Sequence, residues 1–388
     1  MKVLFVHDGP LIRTKEGENY HGITLNDKIR KRYLQLADEL RFLIRVRVVN
    51  ADEIGRYGKI ENDHFSVAEC PNSKSIKLYF QNHFKVKKLI EKEVEAADFL
   101  IIRLPSAAGN LALQFAKKIK KPYLIEVVAC PWDVLRNHSW KGKLLAPFKY
   151  RRLQQNVIDA PYVMYVTEQF LQNRYPTKGK SIGLSDVELA PMGDILKKRI
   201  TSIENKEGRL KLTTVGAIDV IYKGHAFVLE AIKKLRSDGV EMEYHLVGGG
   251  DSSRLTSIAK KLGISDLLFF HGVKKHEEIF DWYDSMDIYI HPSKTEGLPR
   301  TIVEALSRGC LCMGSNVGGI PELIDADYLF EVGNINQIAS QLKSIDKQQL
   351  IKQAERNINR AKDFELPKLE AKRTAFYADF KNELIHKV

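Results

Sequence analysis

Residues 291–309 read His291-Pro-Ser-Lys-Thr-Glu-Gly-Leu-Pro-Arg-Thr-Ile-Val-Glu-Ala-Leu-Ser-Arg-Gly309. The fold predicted from the sequence depends on this stretch. Residues 286–290 before it form a short apolar run bounded by charge, which indicates a buried strand. Residues 301–307 carry their apolar side chains on one side and are followed by a glycine, which predicts a helix. Glu296 and Glu304 therefore lie across a strand-to-helix junction, where open α/β sheets bind ligands. Two such glutamates taken alone would indicate a surface loop acid and a solvated helix acid, but the surrounding Gly297, Pro299 and Gly309 argue against that interpretation.

Strand and helix patterns alternate along nearly the whole chain. The predicted strands are residues 3–6, 42–49, 99–103, 123–128, 162–166, 210–215, 244–247, 267–271 and 286–290. A polar loop is predicted for residues 7–22, a helix for 24–40, and three helices between 335 and 385. The βαβ alternation predicts parallel sheets covered by helices on both faces. A segment rich in Lys and Glu near residues 190–208 divides the pattern into two doubly wound, Rossmann-like α/β domains, and we place the boundary at 195/196.

Composition excludes several classes of protein. With 388 residues, 44% hydrophobic and 28% charged, the chain fits a globular fold with a large core. The longest apolar runs are strand-sized, which indicates neither a transmembrane helix nor a signal peptide. The four cysteines show no metal-ligand spacing, so buried reduced thiols are expected. These features are typical of a cytoplasmic protein.

The net charge of +12 is concentrated in the first half, where residues 1–195 carry 32 Lys and Arg against 22 Asp and Glu. Residues 134–158 contain six basic residues, no acidic one, and interleaved Trp140, Leu144, Leu145 and Phe148. Such a segment suits an anionic membrane surface on the inner face of the plasma membrane. A solvated basic helix face fits as well, whereas the chain has no signature of a nucleic-acid-binding module.

Three strand-end loops in the second half have the character of a nucleotide-diphosphate site. They contain Gly216 with Lys223, Gly248 with Gly249, and the Glu296 stretch. Glycines let a backbone approach a phosphate, helix N-termini offer free N–H groups, and lysine supplies a compact positive charge. No loop has the Walker or G-x-G-x-x-G pattern, which argues against an ATPase and an NAD enzyme.

The stretch Glu296-Gly-Leu-Pro-Arg-Thr-Ile-Val-Glu304 resembles the E-x7-E motif of the large family of retaining glycosyltransferases (group 1) with the GT-B fold. Residues 222–224, 247–249 and 317–322 follow the family's order, so the resemblance covers roughly half of the chain. The sequences of residues 126–133 and 166–176 resemble those of family members that build bacterial surface polysaccharides.

The resemblance implies a nucleotide-sugar donor, UDP-linked rather than GDP-linked, on a domain at 196–370. It implies a glycan or lipid-linked acceptor on residues 1–195 and a C-terminal helix at 371–388 crossing back to that domain. Glu304 would bind the donor ribose, Glu296 would face the hexose, and Lys223 would neutralise the departing diphosphate. The remaining donor-binding residues would be Gly216, Gly248, Gly249, Gly297, Leu298, Pro299 and Arg300. The family needs no metal and no prosthetic group, and the D-x-D match at Asp325 fits a turn.

Two departures from the family pattern concern the phosphate and acceptor sides. Ala217 stands where members carry an arginine that is paired with the later lysine. The second phosphate-binding cation is therefore unassigned, and Arg300 is a candidate for it by position only. Ala129-Cys130 stands where many carry a histidine, with Asp133 and His138 further on. Asp133 is either an acceptor-side residue or a helix N-cap. The other acceptor-side candidates are His7, Asp8 and Gly22, whereas His225 fits a helix N-terminus.

Two alternatives remain on the same fold. One is another nucleotide-sugar enzyme, such as an epimerase, for which neither E-x7-E nor the basic N-terminal stretch is expected. The other is a non-catalytic partner subunit, which the absent arginine and histidine leave open although both glutamates and Lys223 are intact.

Overall fold

The computed structural model describes residues 1–17, 19–22, 25–71, 76–138, 140–275 and 277–386. Within them the chain forms two α/β units, each built on its own twisted sheet. The fold class expected from the sequence, two doubly wound domains of GT-B type, is confirmed.

The N-terminal sheet is parallel apart from a short antiparallel edge, and its order is β5-β3-β1-β6-β7-β8-β9, with β2 on β1 and β4 on β2. Its strands are β1 (Lys2–Thr14), β2 (His21–Gly22), β3 (Glu39–Val49), β4 (Gly58–Lys59), β5 (Phe65–Glu69), β6 (Phe99–Leu104), β7 (Tyr123–Val127), β8 (Tyr162–Tyr165) and β9 (Lys180–Gly183). The helices are α1 (Asp27–Tyr33), α2 (Ile76–Ala96), α3 (Ala107–Lys118), α4 (Pro131–His138), α5 (Trp140–Val157) and α6 (Phe170–Arg174). Alternate β1 residues enter opposite cores, Leu4 on one face and Phe5 on the other, because both faces are covered.

The C-terminal sheet is parallel throughout its described strands, in the order β12-β11-β10-β13-β14-β15. These are β10 (Leu210–Val215), β11 (Met242–Val247), β12 (Leu268–Phe270), β13 (Ile288–His291), β14 (Leu311–Ser315) and β15 (Leu329–Phe330). The helices are α7 (Ile195–Glu204), α8 (His225–Ser237), α9 (Ser253–Leu262), α10 (Glu278–Asp284), α11 (Arg300–Ser307), α12 (Ile335–Lys343), α13 (Lys347–Ala361) and α14 (Leu366–His386). The strand β10 lies between β11 and β13, so the loops after these three strands meet at one edge.

Helix α14 returns to the N-terminal unit. Tyr377 and Phe380 belong to the core beneath β1 and β3, and the Phe380 ring lies 5.0 Å from that of Tyr162. Arg373 is fully buried against Glu188 in the segment that joins the two units. The domain boundaries drawn from the sequence remain predictions, although α14 itself starts at Leu366 rather than at 371.

Three sequence expectations differ from the structure. The polar loop expected after Val6 is instead the second half of β1, which resumes pairing with β3 at Pro10 after a register shift. Of the helix expected at 24–40, residue 24 lies outside the described residues and only α1 is helical. Its N-cap Asn26 accepts a hydrogen bond from the Lys28 N–H. The charged segment near 190–208, expected to separate the two domains, contains α7. This helix is anchored on the C-terminal unit, since Arg199 donates to the backbone carbonyls of Gly309 and Met286.

All four cysteines are buried and unpaired, as expected from the sequence. None of the described helices has both the length and the apolarity that a membrane span requires. Asp325 accepts a hydrogen bond from the Asp327 N–H, which makes the D-x-D match a turn.

Candidate functional site

The loops that follow β10 and β11 touch through their glycines. Gly216 donates its N–H to the Val247 carbonyl at 2.8 Å. Gly248 has φ +152°, and a Cβ there would lie 1.9 Å from the Gly216 carbonyl oxygen. Only glycine permits this approach without displacing backbone. The predicted donor-binding residues Gly216 and Gly248 are thus brought together at the carboxyl edge of the sheet, with Gly249 beside them.

Glu296 is the centre of a polar cluster at the same edge. Its Oε1 accepts from Lys223 Nζ at 2.7 Å and from His291 Nε2 at 2.8 Å. On the other side of the imidazole, Tyr289 Oη lies 2.8 Å from His291 Nδ1 and 2.6 Å from Thr301 Oγ1. The carboxylate is therefore held at one oxygen, and among the described residues no hydrogen bond is made to Oε2.

The charges around Glu296 keep it ionised. Burial by itself would raise the pKa of this carboxyl, but His291 and Lys223 outweigh burial and lower the pKa to about 2. A permanently charged carboxylate with one uncommitted oxygen can accept hydrogen bonds from sugar hydroxyls or stabilise developing positive charge on a sugar ring.

The backbone of the Glu296 loop is fixed by a second glycine contact. Gly318 has φ +60°, and a Cβ on it would lie 2.1 Å from the Glu296 carbonyl oxygen. Gly319 donates its N–H to the Gly297 carbonyl at 2.7 Å. The Glu296 loop is therefore tied to the turn at residues 318–319 by a close backbone approach and a hydrogen bond.

Glu304 lies one turn into α11 and is only 5% exposed. Burial raises the pKa of its carboxyl to about 7, because the charge of Arg300 and a 3.5 Å hydrogen bond from Tyr283 Oη offset burial only in part. The two glutamates of the motif thus differ: Glu296 stays charged, whereas Glu304 titrates near neutral pH.

Two cavities flank Gly297 between the domains. One of about 280 Å³ is lined by Tyr222 and Glu296 on one side and by Ala129 and Asn137 of the N-terminal unit on the other. The second, of about 380 Å³, contains His7, Arg103 and Asp186 opposite Leu298 and the exposed Arg300. A larger cavity of about 500 Å³ opens at the amino ends of β1 and β3, away from the edge where parallel sheets bind ligands.

The acceptor-side candidates are dispersed. His7 lines the second cavity, where burial and then Arg103 lower its pKa to about 4. Asp8 instead caps α3, accepting from the Ala107 and Ala108 N–H groups. Gly22 pairs with Gly58 in the short edge ladder.

On α4, Asp133 is neither free nor an N-cap. It is bound by Arg174 Nη1 at 2.7 Å. The His138 side chain lies outside the described residues. Buried His225, at the start of α8, contacts the Ala217 carbonyl and Tyr244 Oη at 3.2 and 3.3 Å.

Sequence reasoning missed three residues near the donor side. His291 was quoted but not assigned, although its place at the end of β13 and five residues before Glu296 was a usable signal. Tyr289 shares its strand face at the i, i+2 spacing. Arg254, the second residue of α9, carries a buried Nε without a hydrogen-bond partner in the part of the chain that the structure describes. Burial is the main cause that lowers the pKa of His225 to about 4; the hydrogen bond to the Ala217 carbonyl opposes it, and the charges of Arg254, His291 and Lys223 add smaller lowering effects.

Comparison with known proteins places this arrangement in a family. Residues 197–364 match the model described as glycosyl transferases group 1. CapJ of Staphylococcus aureus is 34% identical over 358 residues, which cover 91% of this chain and 88% of CapJ. WcaL of Escherichia coli, named as a colanic acid biosynthesis glycosyltransferase, is 30% identical over 27% of this chain and 28% of its own length.

Solved structures agree on the fold. HepE of Anabaena in complex with UDP superposes with a TM-score of 0.67 at 15% identity, covering 98% of this chain and 100% of HepE. HepE has also been solved with UDP-glucose, with a TM-score of 0.62. The chain is a GT-B transferase that belongs to the group 1 glycosyltransferases and is related to polysaccharide biosynthesis enzymes.

Proposed function

We propose that the chain transfers a hexose-type sugar from a nucleotide-diphosphate sugar to a glycan or lipid-linked acceptor, with retention of anomeric configuration. The observation that carries the proposal is the buried cluster in which Lys223 and His291 hold one oxygen of an ionised Glu296 at the interdomain cleft. Such a carboxylate is pre-positioned for a charged transition state and needs no reorganisation when the donor arrives.

The donor would lie along the loops of the domain predicted at residues 196–370. Glu304 would accept the ribose hydroxyls, and the backbone from Gly297 to Arg300 would approach the diphosphate at the start of α11. Gly216 and Gly249 would lie beside the nucleotide, the absent side chain of Gly248 lets its loop pack on the Gly216 carbonyl, and Lys223 would neutralise the leaving group. The UDP and UDP-glucose complexes of HepE support a uridine nucleotide over a guanosine one.

Catalysis in this proposal is positional and electrostatic. Cleavage of the sugar–phosphate bond leaves negative charge on the diphosphate, and Lys223 would stabilise that charge. The leaving phosphate oxygen would take the proton of the acceptor hydroxyl on the same face of the sugar, so that the new bond forms where the old one broke. No metal is required for these steps.

Incubation with a panel of UDP- and GDP-sugars, followed by measurement of free nucleotide, tests the donor assignment. We expect one nucleotide sugar to release its nucleotide, more rapidly with an acceptor glycan, and the anomeric configuration to be retained in the product by NMR. Epimerisation without nucleotide release would identify the alternative nucleotide-sugar enzyme. Absence of both binding and turnover would leave a non-catalytic subunit.

The acceptor would enter from the N-terminal side, at residues 1–195, with the predicted 371–388 helix crossing back to complete that domain. WcaL is named for colanic acid biosynthesis, which favours a bacterial polysaccharide pathway for this relative of it. The cavity between Glu296 and α4 offers a place for an acceptor sugar beside the donor hexose.

The apolar patch of α5, which consists of Trp140, Leu144, Leu145 and Phe148, supports a peripheral membrane position. These side chains are 68, 72, 51 and 60% exposed, and three of them recur at intervals of four residues along one helix face. Six basic residues lie within 134–158, where no acidic residue occurs. Apolar anchors surrounded by basic residues favour the anionic cytoplasmic face of a membrane.

Vesicle sedimentation tests this surface. Leu144→Ser with Phe148→Ser should weaken binding to anionic vesicles about tenfold or more, since each buried methylene contributes about 0.8 kcal/mol. Phe84→Ser, at a still more exposed aromatic of α2, is the control. Binding of the wild-type protein that is absent, or unchanged by salt, would refute the membrane proposal.

A further inference from the structure

The Glu322 carboxylate makes a contact between the two domains that the donor and acceptor assignments do not use. It accepts from the backbone N–H groups of Glu168, Gln169 and Phe170 at 2.6, 3.1 and 2.5 Å. These three donors follow β8 and end at Phe170, the first residue of α6, in the N-terminal unit, whereas Glu322 ends a 3-10 turn, Ile320–Glu322, of the C-terminal unit. Three charge-assisted hydrogen bonds to one carboxylate specify both distance and orientation.

A second residue of the C-terminal unit binds the same segment. Arg360 of α13 donates through Nη2 to Glu168 Oε2 at 2.8 Å and to the Glu322 carbonyl at 3.2 Å. Its Nη1 donates to Asp363 at 2.6 Å, which fixes the guanidinium plane. The segment 168–170 is therefore held by the Glu322 carboxylate and the Arg360 guanidinium, and the guanidinium also binds the backbone of Glu322.

The turn that carries Glu322 is coupled to the Glu296 loop. Gly319, three residues before Glu322, donates to the Gly297 carbonyl at 2.7 Å. A Cβ on Gly319 would lie 2.6 Å from the Gly297 carbonyl oxygen and 3.1 Å from Thr167 Cγ2 of the other domain. The Glu296 loop, the 318–322 turn and the 167–170 segment are thus in continuous contact.

We propose that Glu322 is a positioning residue that sets the Glu296 loop relative to the N-terminal domain, and so sets the donor sugar relative to the acceptor. The inference rests on the proposed glycosyl transfer. It separates two properties of the enzyme: nucleotide binding, which uses C-terminal residues alone, and sugar transfer, which requires both domains in register. A displacement of about 1 Å between reacting groups can cost about 100-fold in rate.

The test compares Glu322→Ala with the wild-type protein in two assays. We expect nucleotide affinity to stay within about twofold, while kcat/KM for transfer falls about 10- to 100-fold, mainly through kcat. Glu322→Gln keeps one acceptor oxygen but places an amide N–H2 against the backbone donors, so an intermediate loss is expected. Glu355→Ala, at an exposed acid of α13, is the matched control and should change neither quantity.

Hydrogen exchange provides a readout that is independent of turnover. In Glu322→Ala, amides in 168–170 should lose protection, and so should those in 296–298, because the two segments are coupled through Gly319. Arg360→Gln should act in the same direction without altering the carboxylate, and thermal unfolding identifies any variant that fails to fold.

Unchanged transfer, a parallel loss of nucleotide affinity, or unchanged exchange at 296–298 would each overturn the inference. A wild-type protein that neither binds nor turns over a nucleotide sugar would instead refute the proposed function, and the exchange data would still decide the coupling.

Discussion

The proposed ribose role of Glu304 predicts that donor binding depends on pH. Its burial raises the carboxyl pKa from 4.5 to about 7 in the folded protein without donor. Only the ionised carboxylate accepts hydrogen bonds from both ribose hydroxyls without donating in return. At pH 6, about one unit below this pKa, roughly a tenth of the carboxyl is ionised, so donor affinity should be about tenfold weaker than at pH 8.

The assay is calorimetric titration with an intact nucleotide sugar between pH 5.5 and 8.5. An intact nucleotide sugar is preferable to the free diphosphate, whose terminal phosphate takes up a proton in this range. The logarithm of the affinity should rise by about one per pH unit below 7 and then level off. Glu304→Gln should bind more weakly at pH 8 and show no slope. A flat wild-type profile, or an equal slope in Glu304→Gln, would refute the ribose role of this residue.

The same shift predicts a stability effect with a definite sign. The folded protein holds the Glu304 proton more tightly than the unfolded chain does, so its contribution is most favourable below pH 4.5 and is lost as pH rises to about 7. A difference of 4.5 to about 7 corresponds to about 3 kcal/mol at most. Glu304→Gln should therefore be more stable than the wild-type protein at pH 8 in urea unfolding. This difference in the free energy of unfolding should shrink at pH 5.

Substitutions at three further positions separate the other parts of the site. Glu296→Gln keeps an acceptor for Lys223 and should fold, but we expect its kcat/KM to fall about 100-fold. Glu296→Ala should in addition lower the free energy of unfolding in urea by about 3 kcal/mol, because Lys223 loses its partner. Wild-type activity in Glu296→Gln would contradict the assignment. We expect Arg254 to contact the phosphates of the donor, so Arg254→Gln should weaken UDP binding about tenfold while leaving uridine binding unchanged. Arg254→Lys should recover part of the UDP affinity, and equal losses of UDP and uridine affinity would rule out the phosphate role. Gly248→Ala should lower the free energy of unfolding by about 2 kcal/mol and abolish nucleotide binding, because its Cβ would meet the Gly216 carbonyl; an unchanged melting temperature would show that the loops can separate.

The sequence predicted the sheet architecture because parallel strands buried on both faces read as short apolar runs. It also placed Glu296, Lys223 and the glycine loops at strand ends, which the C-terminal sheet brings together because β10 lies between β11 and β13. Spacing identified these positions, since each follows directly from a strand boundary.

What the sequence did not predict depends on contacts between distant segments. Whether Lys223 meets Glu296 is decided by packing across 73 residues. The capping role of Asp8 and the pairing of Asp133 with Arg174 arise 99 and 41 residues away along the chain. The extension of β1 beyond Val6 was hidden by Gly9-Pro10, which reads as a turn but forms an irregularity within a strand.

A crystal structure with an intact nucleotide sugar would show where the donor binds. We expect the ribose hydroxyls on Glu304, the diphosphate against the backbone of residues 297–300 with Lys223 Nζ within hydrogen-bond distance, and the hexose next to the uncommitted Oε2 of Glu296. A nucleotide found in the cavity at the amino ends of β1 and β3, or one bound with its sugar away from Glu296, would contradict this expectation.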